Sequence, residues 1–208
     1  MSLFLPLFPL NLVAFPGEQL NLHIFEPRYK QLVNDCFTGD SPFGIPSYIH
    51  NKIEYGTMIN IIEVYKVYKD GRLDLKTRGE VVIKIESFEN PIKGKQYAGG
   101  QVTLIEDIDD HAPQQSKMTL MLQELYDKLT IEAKVPIGSD VNTYDIAHKI
   151  GLSMEQEYEL LQIPRKSERV DYIVDHLSQF IPKLSRVEEV KERIRMNGHF
   201  KRLDKLNF

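Results

Sequence analysis

The chain has 208 residues, 42% hydrophobic and 27% charged, with a net charge of −4, six histidines and one cysteine. That is enough chain to bury roughly 70% of its unfolded surface in one large or two modest domains. A single cysteine excludes an internal disulfide and a thiolate metal cluster, and the acidic balance gives no general attraction to nucleic acid or anionic lipid.

The opening MSLFLPLFPL is apolar but lacks a basic start and is broken by Pro6 and Pro9, so it does not read as a signal peptide. Leu3, Leu5 and Leu7 alternate there, as in a strand. Phe15-Pro16-Gly17 is a turn, and Gln19 to Phe25 alternates again. This strand stops abruptly at Glu26-Pro27-Arg28-Tyr29. Proline keeps Glu26 extended and suits the first position of a helix. Tyr29, Leu32, Val33, Cys36 and Phe37 then recur at helical spacing until Gly39. Glu26 and Arg28 flank this strand-to-helix corner and are expected to brace it as a charge-assisted pair.

Residues 38–49 (TGDSPFGIPSYI) read as a loop. Strands are expected over Thr57 to Tyr68, Arg72 to Thr77, Glu80 to Ser87 and Gln101 to Glu106, with turns at Lys69-Asp70-Gly71, Arg78-Gly79 and Asn90-Pro91. The acidic stretch 106–115 (EDIDDHAPQQ) reads as a solvated boundary, which places one unit at 1–110 and a second at 111–208. Beyond it the period becomes helical. Met118, Met121, Leu122, Leu125, Tyr126 and Leu129 share a face, and a short helix from Tyr144 to Ile150 stops at Gly151. Ser153 with Gln156 forms a capping box. A helix starting at Ser167 carries Val170, Ile173, Val174 and Leu177 and is limited by Pro182; Ser185 with Glu188 caps a last charged helix through about Met196. Lys191 to Phe208, with six basic and two acidic residues, reads as a solvated helical face. The pattern predicts an α+β protein: a β-barrel with an early inserted helix, then a helical bundle.

Catalytic signatures are missing from the sequence. The fragment Lys93-Gly94-Lys95-Gln96 lacks the first glycine and the hydroxyl of a phosphate loop, and Gly151 to Glu155 fails the nucleophile-elbow pattern at its last position. His148 shares a helical face with Asp145, which alone builds no site. No catalytic, metal-binding or cofactor-binding residue is assigned, and no cofactor is expected. Tyr65, Lys66, Tyr68 and Lys69 are the nearest approach to a nucleic-acid surface and read more simply as a half-exposed strand.

The stretch LPLFPLNLVAFPGEQLNLHIFEPRYKQLVND resembles the start of the amino-terminal, substrate-binding domain of Lon proteases. That family has an LPLFPL strand, an FPG turn, a strand, and FEPRY opening a helix. Phe43-Gly44, Tyr55-Gly56-Thr57 and Asp70-Gly71-Arg72 continue the likeness, while Glu80-Val81 stands where family members usually carry Arg-Phe. The resemblance implies a PUA-like barrel followed by helices, and a non-catalytic role in engaging unfolded or tagged polypeptides. It implies a stand-alone Lon-domain protein without the ATPase or serine–lysine peptidase, and an adaptor in ATP-dependent proteolysis with a Lon-type protease as partner. With no signal peptide and no apolar run of membrane-spanning length, a reducing cytoplasm is the expected location, outside any membrane. RNA binding and contact with one specific protein are the alternatives. Candidate polypeptide contacts are Phe15, Pro16, Phe43, Ile45 and Tyr48, while Phe25, Glu26, Pro27, Arg28 and Tyr29 are expected to hold the architecture.

Overall fold

The structure is a computed structural model and describes residues 2–49, 51–131 and 141–203, with side chains followed to Arg186. The basic stretch from Lys191 and the Glu188 cap therefore lie outside the described side chains. Two compact units emerge: residues 1–111 with 142–169, and residues 112–141 with 170–208. The chain crosses between them three times, after His111, at Asn142 and at Val170.

The first unit contains six strands: β1 (Ser2–Leu7), β2 (Gln19–Ile24), β3 (Phe43–Pro46), β4 (Tyr55–Val67), β5 (Leu73–Ile85) and β6 (Ala98–Leu104). Their order is β2-β5-β4-β3-β1-β6, and β6 returns to β5 through Ile83–Leu104, Lys84–Thr103 and Ile85–Val102. The ring β5-β4-β3-β1-β6 thus closes on itself, leaving β2 on the first half of β5. All pairings are antiparallel except β1 with β3, which meet in parallel at Leu7 and Gly44. The result is a PUA-like α+β fold whose ring is uneven rather than a regular barrel.

The helix α1 (Pro27–Thr38) buries Tyr29, Leu32, Val33 and Cys36, a stripe at the expected helical spacing. These join Phe8, Ile24, Phe43, Ile45, Ile59 and Leu75 in one core cluster. A second cluster, Leu5, Leu7, Ile83, Ala98 and Val102, lies where β1, β5 and β6 meet. The helix ends at Gly39, but the left-handed residue is Asp40, with φ 44°.

Two expectations change here. Residues 43–46 form β3, buried at all four positions, rather than a loop. Arg78-Gly79 is no turn: β5 continues through it, with a register shift against β4 at Glu80. Gly79 is there because a Cβ would collide with the Phe15 carbonyl, where the Phe15-Pro16-Gly17 turn docks on β5. Gly17 (φ 82°) donates its amide to the Gly79 carbonyl (2.9 Å), and the Gly79 amide donates to the Glu18 carbonyl (2.9 Å).

The first unit also takes α3 (Thr143–Ile146), continued by a tight turn over Ala147–Lys149, and α4 (Met154–Leu161), where Ser153 and Gln156 form the expected capping box. The segment 106–110 is no solvated linker. Ile108 exchanges backbone hydrogen bonds with Pro164 and Lys166, and Asp107, Asp109 and Asp110 pair with Arg169, Lys166 and Arg165.

The second unit contains α2 (Gln115–Lys128), with Met118, Thr119, Leu122, Leu125 and Tyr126 buried, and most of α5 (Lys166–Leu203). Val170, Ile173, Val174, Leu177 and Ile181 of α5 are buried at helical spacing. Pro182 does not end this helix, and Ser185 does not start another: the Ser185 hydroxyl donates back to the Ile181 carbonyl (3.2 Å).

Candidate functional site: a double cavity at the strand-to-helix corner

Glu26 is extended (φ −71°, ψ 136°), as a residue before proline should be. Its carbonyl accepts from the amides of Tyr29 (3.1 Å) and Lys30 (3.0 Å), which starts the helix. Its carboxylate leaves the helix uncapped and takes Arg28 instead, with Nε at 2.9 Å and Nη2 at 2.8 Å from one oxygen. The Arg28 guanidinium in turn lies 4.5 Å from the centre of the Tyr29 ring. Tyr29 packs on Phe8, ring centres 3.9 Å apart, and burial raises its phenol pKa.

Two cavities meet at this corner. One, about 370 Å³, is lined by Phe8, Pro9, Leu10 and the run Asn21–Glu26. The other, about 310 Å³, is lined by Asn11, Tyr48, Ile53, Phe88, Asn90 and Ala98. Pro9, Arg28 and Tyr29 line both. Phe25 (60% exposed), Tyr48 (43%) and Phe88 (39%) place large aromatic surface at this site. Solvent-facing aromatics beside an apolar concavity are the usual mark of a recognition surface.

The sequence-derived contact residues divide. Phe15, Phe43 and Ile45 have no exposed surface, so they belong to the core and cannot meet a ligand. Phe15 stacks on Tyr144 (5.4 Å) and packs against the His148 ring (5.0 Å), and the other two sit in β3. Pro16 is half-buried in the docked turn, and Tyr48 alone of the five lines the double cavity. Phe25, Glu26, Arg28 and Tyr29, read from sequence as architectural, line it too. Phe8, Pro9, Ile53 and Phe88 carry no signal that separates them from ordinary core residues; only tertiary placement brings them to the cavity walls.

A third cavity, about 500 Å³, lies beside Cys36, Phe37 and Ile62. Burial pushes the Cys36 thiol up to about 11, which leaves almost no thiolate near neutral pH. Among the described residues no group of three or more His, Cys, Asp or Glu side chains is placed to hold a metal ion. On the β4–β5 hairpin, the Tyr68 ring already carries Lys66 (4.4 Å) and Arg72 (4.9 Å) over it, so it is not a free stacking platform for a base. Among the described residues no helix is long and apolar enough to cross a membrane.

Comparison with known proteins agrees with the fold. The family model described as the ATP-dependent protease La (LON) substrate-binding domain matches residues 4–180. The chain belongs to this family. A Lon N-terminal domain protein from Xanthomonas campestris has a crystal structure with 28% identity and a TM-score of 0.66, covering 83% of this chain and 98% of that one. The N-terminal domain of the Mycobacterium avium complex Lon protease shares the fold at 15% identity and a TM-score of 0.64, covering 85% of this chain and 99% of that one. No curated protein matches.

Proposed function

We propose that the chain is a polypeptide-binding module that takes exposed apolar stretches of unfolded or tagged proteins at the double cavity around Arg28 and Tyr29. The observation that carries this reading is two adjoining concavities beside exposed Phe25, Tyr48 and Phe88, in a member of a substrate-binding domain family. An unfolded client offers exposed apolar side chains that such an apolar surface can cover. We further propose that the module acts in the cytoplasm without chemistry of its own, as an adaptor or holding factor for ATP-dependent proteolysis by a Lon-type protease.

Reduced, carboxymethylated α-lactalbumin, which cannot refold, is a suitable client. The protein should bind it measurably in fluorescence anisotropy, and Phe25→Asp with Tyr48→Asp should weaken binding by about tenfold or more, as loss of aromatic anchors does. Phe25 is 60% and Tyr48 43% exposed, so the melting temperature should change little. Undiminished binding by the double variant would refute the site. Casein cleavage by the purified protein, with or without ATP, would refute the non-catalytic reading, and salt-sensitive capture of RNA at this surface would favour the nucleic-acid alternative.

A further inference from the structure

β2 stands at the end of the strand order and is paired along one side only. The Gly79 amide donates to the Glu18 carbonyl, and Thr77 Oγ1 donates to the Leu20 carbonyl (3.0 Å), so the even-numbered residues turn their backbone groups toward β5. Antiparallel alternation then points the N–H and C=O of Asn21 and His23 to the open side. Among the described residues no second strand pairs along this side of β2. Asn21 and His23 are exposed, and an exposed row of N–H and C=O groups at a sheet edge is a ready template for another main chain.

The edge is also unprotected. β2 pairs with β5 over six residues without a register shift, whereas the β4–β5 pairing shifts three times. The strand QLNLHI contains no lysine, proline or bulge of the kind that blunts natural edges. Alongside it runs the 370 Å³ cavity, with Phe8, Leu10, Leu22, Ile24 and Tyr29 among its lining. Two polar contacts lie nearby, Glu26 with Arg28 and the His23 ring with the Asp74 carboxylate, and Lys76 stands opposite Asn21 on β5. The cavity lining of Phe8, Leu10, Leu22, Ile24 and Phe25 suits apolar side chains, whereas a charged one would compete with the Glu26–Arg28 pair.

We infer that the open edge of β2 receives an extended, uncharged, apolar stretch of polypeptide as an added β-strand. Its main chain bonds to Asn21 and His23, and alternate side chains enter the neighbouring cavity. This rests on the polypeptide-binding reading and specifies how the binding is made.

The test uses the full chain and a fluorescein-labelled decapeptide of valine, leucine and phenylalanine, with two versions N-methylated at odd or at even residues. Strand addition bonds only every second guest residue, so one methylated set should lose about tenfold or more in affinity while the other stays close to the parent. Amide exchange at Asn21 and His23 should slow when the parent peptide binds. Equal affinities across the three peptides, or equal losses in both methylated sets, overturn strand addition while leaving polypeptide binding intact. Protection at the outer half of β4 instead overturns the location. No binding of the peptides or of unfolded α-lactalbumin overturns the underlying reading as well. A concentration-dependent dimer that protects the same two amides without peptide makes the occupant a second copy and refutes the assignment.

Discussion

Glu26 and Arg28 form the pair expected of them, but at the surface: their side chains are 37% and 42% exposed. An exposed pair contributes little, so Glu26→Ala should cost no more than about 1 kcal/mol in a denaturant melt. A larger loss would mean that the carboxylate holds the corner by more than this bond. Arg169 is the opposite case, and nothing in the sequence marks it. It is 3% exposed, sits 4.4 Å from the Tyr144 ring centre, and donates to Thr143 Oγ1 (2.9 Å) and the Ile163 and Pro164 carbonyls (3.0 Å each), with Asp107 at 2.7 Å. Arg169→Ala strips the donors from these acceptors while Asp107 stays half exposed, and an unfolding titration should show a loss of about 1–3 kcal/mol, as when buried acceptors lose their partner. Gly79→Ala belongs with it: the new methyl would meet the Phe15 carbonyl, for a cost of about 1–3 kcal/mol from overpacking alone.

Strands that alternate and helices that carry caps were legible at the scale of the element. β1, β2, β4 and α1 fall where period and punctuation put them, and the Ser153 capping box is present in full. β3 was not legible, because a four-residue strand buried at every position has no alternation, and FGIP contains both a glycine and a proline. β5 was split in reading because a glycine needed for close backbone approach looks like a turn glycine. The double cavity was half legible: FEPRY marks the corner, but exposure of Phe25 and burial of Phe15 are decided by distant elements. The start of α5 lies one residue from the expected Ser167, at Lys166, but its cap was not legible. Its first turn is capped from outside by Asp110, which accepts from the Ser167 amide and hydroxyl (2.8 Å each), and these bonds hold the carboxyl below its usual range. Asp110→Ala should therefore lower the melting temperature more than Asp110→Asn, which keeps an acceptor oxygen. Equal losses would assign the effect to charge rather than to the cap.

For the whole molecule, the return of residues 142–169 to the β unit carries a consequence. A fragment ending at residue 110 lacks Tyr144 and His148, which cover Phe15, and Tyr158, whose hydroxyl accepts the Tyr55 amide (3.1 Å). Fragment 1–110 should melt early or aggregate, while 1–169 should keep a cooperative transition by circular dichroism; equal stability would show those contacts to be dispensable. His148 also makes the first unit sensitive to pH. Its Nδ1 lies 2.7 Å from a Glu157 oxygen and its Nε2 lies 3.3 Å from a Glu18 oxygen, so only the imidazolium can donate to both. The Glu18 bond, helped by Glu157 and opposed by burial, pushes the pKa from 6.5 up to about 9. The folded state therefore holds this proton more tightly than the unfolded chain does. The resulting stability is complete below 6.5 and drains away as pH rises through about 9. At the acid end the direction reverses: bonds from Lys95 and Tyr97 depress Asp35, whose contribution is present above the ordinary carboxylate range and is lost as pH falls through the depressed value. The melting temperature should thus decline between neutral pH and pH 9, and His148→Gln, which carries no titrating proton, should flatten that decline. An unchanged alkaline slope in the variant would show that another group governs it.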